Sequence, residues 1–302
     1  MPALKTKDFE YLNFIAEYRL LTNDMLAFLS VKSLRTIQHR ISILDTMGLL
    51  SLSADYGKAR RGKPRNIISL SPAGIEAVAD TLDKDIRDIF YQNMNKKIIH
   101  IEHDLLTNLF RLHLIQLARH THNFSTDFIA PTSPLLKCRK DGKSAISDTV
   151  TVDKKERSFV PDGVFSIFRK DEKKRLLFFL ESDRSSESMN VTTDSANLKT
   201  KLENYHQYIC CSGYKRYEKK WDNLLPGFRL LILCDSNKRK RQLAQFVSQF
   251  SALDYVWISD IDSLVTLGIG EKIWIRGGNS SLPLQSILGP NNVCNLPPVF
   301  SA

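Results

Sequence analysis

Residues 159–184 read FVPDGVFSIF, then RKDEKKR, then LLFFLESDR. Two apolar runs joined by a short charged connection predict neighbouring antiparallel strands. Acids interrupt both runs. Asp162 follows a proline in the first, and Glu181 and Asp183 stand two residues apart in the second, so their side chains leave one face of that strand. A strand that serves only a core gains nothing from carboxylates in these positions. Brought to one sheet edge, Asp162, Glu181 and Asp183 would form an oxygen-ligand set suited to a hard cation such as Mg²⁺, with Mn²⁺ as its substitute.

Downstream, residues 194–217 carry Leu198, Leu202, Tyr205 and Ile209 at helical spacing, and FRLLILCD (228–235) is an almost wholly apolar strand of the kind buried on both faces. A helix over 238–250, a strand YVWISD, a helix start IDSLVTLG and a short strand EKIWIRG follow. Upstream, Ile98, Ile101, Leu105, Leu109, Leu112 and Leu117 mark a core helix from 98 to about 120, and NFSTDFIAP predicts a first strand. The polar segment 135–157 reads as a long loop or a hairpin insertion. Helix and strand in this order predict an α/β domain with a mixed sheet over 98–276. The remainder, 277–302, shows no periodicity and is expected to be an irregular, loosely packed tail. His100, Glu102, His103 and Asp104 lie on the core helix without an H-E-x-x-H arrangement and read as its polar face, with Glu102 and Asp104 as candidates to reach the acids.

The first 82 residues have a different texture. Phe9, Leu12, Phe14 and Ile15 repeat at helical spacing, Thr22 can cap NDMLAFLS, and Ser33 can cap a third helix with Leu34, Ile37, Ile41 and Leu44 on its apolar side. That leaves Arg35, Gln38, His39 and Ser42 opposite, the layout of a helix-turn-helix whose last helix faces the major groove. LLSLSADY, the glycine-rich GKARRGKP and RNIISL then predict a hairpin, followed by a helix capped by Ser71 with Pro72 at its first position. The hairpin tip holds Lys58, Arg60, Arg61, Lys63 and Arg65, side chains that would position the protein on a duplex through phosphates. A solvated loop is the alternative reading of such a charge run. Residues 83–97 read as a linker helix.

Composition agrees with a two-domain, nucleic-acid-directed chain. Of 302 residues 42% are hydrophobic, and 43 Lys and Arg against 33 Asp and Glu give a net charge of +10, which favours an anionic partner such as double-stranded DNA. No apolar run approaches the roughly 20 residues that span a bilayer, and MPALKTKDFEYL lacks the apolar core of a secretory signal, so a cytoplasmic protein is expected. Its five cysteines form no C-x-x-C pair and read as reduced, mostly buried thiols.

Residues 1–82 resemble the winged-helix DNA-binding domains of bacteria, down to the Leu70-Ser71-x-x-Gly74 turn after the hairpin. Pro161-Asp162 followed by Glu181-x-Asp183 resembles the pattern of the PD-(D/E)XK nucleases, which implies a restriction-endonuclease-like fold, Mg²⁺ on Asp162 and Glu181, and a lysine two residues after the Glu. Asp183 stands in that lysine's place. Lys199 and Lys201 at the start of the next helix are candidates to replace it, Lys201 the better one because Tyr205 follows on the same face. A winged helix joined to PDG, FLESDR and KLENY resembles the replication-relaxation family of plasmids and mobile elements. The resemblance implies Asp162, Glu181, Asp183 and Lys201 as catalytic residues, the three acids as metal ligands, and a relaxase or other mobile-element protein, or a second copy of the chain, as partner. Two function classes stay open: metal-dependent DNA cleavage, and a non-catalytic DNA-binding regulator or mobilisation accessory factor.

Overall fold

The computed structural model describes residues 4–53, 66–83, 98–131, 133, 146–184 and 194–300, with the side chains of 98–100 and 194–197 excepted. The chain divides into two compact units, one built on residues up to Leu112 and the other on His113–Pro131 and Ile146–Val299. The division falls within a helix, where the sequence reading ended the first domain at residue 82.

In the first unit the order is α1 (Thr6–Tyr18), β1 (Leu21–Thr22), α2 (Asn23–Ser30), α3 (Leu34–Thr46), β2 (Leu50–Ser53), β3 (Ile67–Leu70), α4 (Pro72–Leu82) and the first part of α5 (Ile98–His120). Short capping side chains start three of these helices: Thr22 accepts from Met25 N, Ser33 from Thr36 N and Ser71 from Gly74 N. β1, β3 and β2 form an antiparallel sheet in that order, with Leu50 opposite Leu70 and Leu21 opposite Ile68. Leu12, Ile15, Leu26, Ile37, Leu44, Ile68 and Val78 are fully buried in its core, and Leu20, Ile67, Ile101 and Leu105 pack together. Leu34, expected in the apolar stripe of α3, is exposed. Gly74 has no substitute here, because a Cβ would collide with the carbonyl of Leu49, while the Ser71 hydroxyl donates to Gly48 O at 2.5 Å. The Leu-Ser-x-x-Gly turn thus locks the start of α4 onto the end of α3.

The second unit is built on a six-stranded mixed sheet in the order β11-β10-β9-β8-β7-β4. These are β4 (Phe124–Ile129), β7 (Gly163–Arg169), β8 (Lys174–Asp183), β9 (Phe228–Cys234), β10 (Val256–Asp260) and β11 (Ile275–Arg276). β7 and β8 are antiparallel, as the two apolar runs predict, and β8, β9 and β10 are parallel. The parallel connections run through α6 (Asp194–Cys210), the short α7 (Glu218–Trp221) and α8 (Asn237–Val247), and α9 (Ile261–Leu267) follows β10. Segment 135–157 contributes the hairpin reading in part, as β5 (Asp148–Val152) pairs with β6 (Lys155–Phe159).

Three expectations need correction. α6 stops at Cys210 and not Tyr217, because Ser212 takes a left-handed conformation and a separate 3-10 turn starts at Gly213. The tail is fastened: Trp274 and Gln285 exchange backbone hydrogen bonds, the Ser286 hydroxyl donates to Gly270 O at 2.9 Å, and Ile287 and Leu288 are buried. Cys234 is buried but Cys210 and Cys211 are exposed at the end of α6. Among the described residues no helix is long and apolar enough to cross a membrane.

Candidate functional site

The proline-aspartate turn is clasped to the end of β8. Asp162 donates its N–H to Leu180 O at 3.1 Å, and its Oδ2 accepts from the backbone N–H of Ser182 at 2.8 Å. Gly163 opens β7 because a Cβ there would run into the ring of Phe128 on β4. One strand position further, Glu181 is buried and both of its oxygens are engaged: Oε2 accepts from Lys201 Nζ at 2.7 Å and Oε1 from the Tyr205 hydroxyl at 2.6 Å. Lys201 and Tyr205 are four residues apart on α6 and so face the sheet together.

Burial pushes the Glu181 carboxyl above the ordinary carboxylate range, Lys201 opposes the shift, and the charge of Asp162 adds to it. Burial and Glu181 raise Tyr205 well above a free phenol, so it stays a hydrogen-bond donor at neutral pH. Asp162 and Lys201 therefore pull the Glu181 carboxyl in opposite directions.

An aromatic cluster holds α6 in this position. The rings of Tyr205 and Tyr208 meet those of Phe159 and Phe179 edge to face at 5.0–5.8 Å. Below them the Tyr208 hydroxyl donates to Asp148 Oδ2 at 2.8 Å, and Arg216 pairs with Asp148 Oδ1 at 2.8 Å. The hairpin β5–β6 thus supports the helix that carries Lys201.

Asp183 serves a different helix. Its two oxygens accept from Arg239 Nε and Nη2 at 2.8 and 2.9 Å, a two-pronged pair in which both side chains are more than nine-tenths buried. Arg239 sits in the first turn of α8, whose N-cap is Ser236. Among the described residues no group of three or more His, Cys, Asp or Glu side chains is arranged to hold a metal ion. The structure thus brings Asp162, Glu181 and Lys201 together and gives Asp183 to Arg239. Lys199 lies exposed near Glu203, at 3.9 Å. Glu102 and Asp104 belong to the first unit.

Two partners were not foreseen. Tyr205 could be read only as following Lys201 by one helical turn. Arg239 carried no signal, since it is one of four consecutive basic residues, 238–241, of which Arg239 pairs with Asp183 and Lys240 with Asp260.

In the first unit, Arg35, Gln38, His39 and Ser42 are all exposed on α3. Arg40, beside them, reaches back to the buried carboxylate of Asp8 on α1, and this ion pair fixes the helix. Burial works against the Asp8 charge, but the Arg40 and Lys5 hydrogen bonds outweigh it and lower its pKa. Lys58, Arg60, Arg61, Lys63 and Arg65 lie outside the described residues.

The oxygen donors of Asp162 and Glu181 match Mg²⁺ in number and kind, for that ion is commonly held by one or two carboxylates and completes its shell with water and phosphate. The buried pair with Arg239 makes Asp183 unsuited to join them.

No curated protein and no solved structure matches the chain. The replication-relaxation family model matches residues 12–224, a span that takes in α3, the proline-aspartate turn, β8 and all of α6 with Lys201. On that match, the chain belongs to the replication-relaxation family.

Proposed function

We propose that this protein binds double-stranded DNA through a winged helix in its first unit and cleaves or nicks it at a nuclease-like site in its second, in the replication or mobilisation of a plasmid or mobile element. Family membership supports the biological setting. The observation that carries the chemistry is the 2.7 Å contact between Lys201 and Glu181, with Asp162 alongside. It supplies from α6 the cation that the strand lacks where Asp183 stands.

Asp162 and Glu181 would hold Mg²⁺, which when bound supplies Lewis-acid polarisation of a phosphoryl oxygen. Lys201 places its ammonium group where negative charge builds on the phosphate in the transition state. Tyr205 donates to Glu181 and holds that carboxylate in one rotamer, with the aromatic cluster behind it keeping the ring in place. Arg35, Gln38, His39 and Ser42 present donors and acceptors to base edges, and the basic tip at Lys58, Arg60, Arg61, Lys63 and Arg65 contacts phosphates.

Incubating supercoiled plasmid with the protein and Mg²⁺ or Mn²⁺ tests the reading. Nicked product is expected from the wild type. Asp162→Ala and Glu181→Ala should abolish it, and Lys201→Met should slow it by about 10²-fold or more. Nicking that survives in all three variants would refute the site.

A second reading has its own support. Asp183 in a buried pair with Arg239 occupies the motif's lysine position with a structural contact, as suits a non-catalytic regulator or relaxase helper that grips DNA as a homodimer. Sequence-specific binding to a palindrome without nicking by the wild type would favour it.

A further inference from the structure

At the end of the sheet opposite the acids, where β8, β9 and β10 begin, a cavity of about 380 Å³ opens among Arg175, Arg229, Asp254, Tyr255, Trp257 and Arg276. Its lining carries three guanidinium groups against one carboxylate. That carboxylate, on exposed Asp254, is engaged with Arg276 at 3.2 Å. Arg175 donates to the Ser166 hydroxyl at 2.6 Å, while its Nε is buried with no partner among the described residues.

Arg229 is the informative residue. Its guanidinium lies 4.7 Å over the ring of Trp257 and 5.8 Å from that of Phe178, and among the described residues it makes no hydrogen bond and no ion pair. Burial, and then the like charge of Arg276, pull its pKa below the ordinary arginine value. A guanidinium has five N–H donors and does not shed its proton, so a half-buried one without an anion is a standing cost unless something from outside supplies acceptors and charge. Burial strips part of the hydration that would otherwise stabilise this charge, and an anion in the cavity would restore it.

We propose that this cavity binds a phosphate group, gripped by Arg276 and by Arg229, whose guanidinium is held in place over the buried Trp257 ring. Planar guanidinium groups bind phosphate oxygens in pairs, and two of them lining one cavity suit a phosphate group. The group can come from a small phosphate compound or from the end of a nucleic-acid strand. The site is independent of the acid–lysine cluster and lies mostly beyond residues 12–224, so family membership does not imply it.

Titrating the full-length protein with pyrophosphate, and separately with one oligonucleotide in 5′-phosphorylated and 5′-hydroxyl forms, distinguishes the sources. Binding is read by calorimetry and by tryptophan fluorescence. Saturable binding of pyrophosphate assigns a small phosphate compound, and tighter binding of the phosphorylated than of the hydroxyl-ended strand assigns a strand end. In either case Arg229→Met and Arg276→Ala should weaken binding by about tenfold or more. Asp254→Asn, which removes the competing carboxylate at an exposed position, should tighten it, so the proposal stays testable if Arg229→Met fails to fold. No saturation with either probe, or affinities unchanged in Arg276→Ala and Asp254→Asn, overturns it.

Discussion

Glu181 and Asp183 are two residues apart on one strand, yet the fold treats them differently. Glu181 is held by a lysine and a phenol that both belong to α6, and burial raises its pKa against the opposing charge of Lys201. Asp183 is locked by a two-pronged guanidinium from α8. Removing one partner of a buried pair leaves the other uncompensated, so Asp183→Asn should cost about 3–5 kcal/mol of stability in urea denaturation. A ligand to metal would behave in the opposite way, with metal affinity lost and stability kept. At Gly74 the outcome is steric: Gly74→Ala should destabilise by about 1–3 kcal/mol, since the added Cβ meets the Leu49 carbonyl and the backbone must shift. The shared face of Glu181 and Asp183 and the one-turn spacing of Lys201 and Tyr205 could be read from the chain because period-two and period-four rules act over short distances, while Asp162 and Lys201 were singled out by the resemblance to a family motif. The role of Arg239 could not, because which of four consecutive basic residues turns inward depends on how α8 lands on the sheet.

At the level of elements, the apolar runs of β7, β8 and β9 and the capped helices of the first unit were legible, since each is a local pattern of burial or of capping oxygens. The tail was not. Residues 278–299 have no periodicity, and their order comes from contacts that sequence spacing does not encode: the backbone bridge at Trp274 and Gln285, the Ser286 hydroxyl on Gly270 O, and the Gln116 amide on Pro297 O. Ile287→Ala in this tail should therefore cost about 2–5 kcal/mol, the penalty of a core truncation, and unchanged urea stability would return the tail to a passive role. For α3 the prediction is functional. Arg35→Ala combined with Gln38→Ala should weaken binding to duplex DNA in a gel-shift titration with no loss of melting temperature, because both side chains are exposed and make no core contact.

The whole molecule carries a formal net charge of +10, so acidification adds positive charge to an already cationic chain and strengthens its pull on phosphates. His113 is set apart by its surroundings. It is buried in α5, its Nε2 has no hydrogen-bond partner among the described residues, and burial lowers its pKa from 6.5 to about 4. Above pH 6.5 the ring is neutral in both the folded and the unfolded chain, and its contribution to folding is constant. Between 6.5 and 4 the unfolded chain takes up a proton that the folded chain refuses, so stability falls as the pH drops, by up to about 3 kcal/mol. Below 4 both forms are protonated and the loss is complete. His113→Leu keeps an apolar side chain in the same place and cannot titrate. Unfolding free energies measured for the two proteins at pH 7.5 and pH 4.5 should therefore diverge, with the wild type losing more than the variant, while carboxylates and exposed histidines common to both cancel in the comparison. Parallel losses in the two proteins would mean that the His113 ring takes up its proton in the folded state as readily as in the unfolded one.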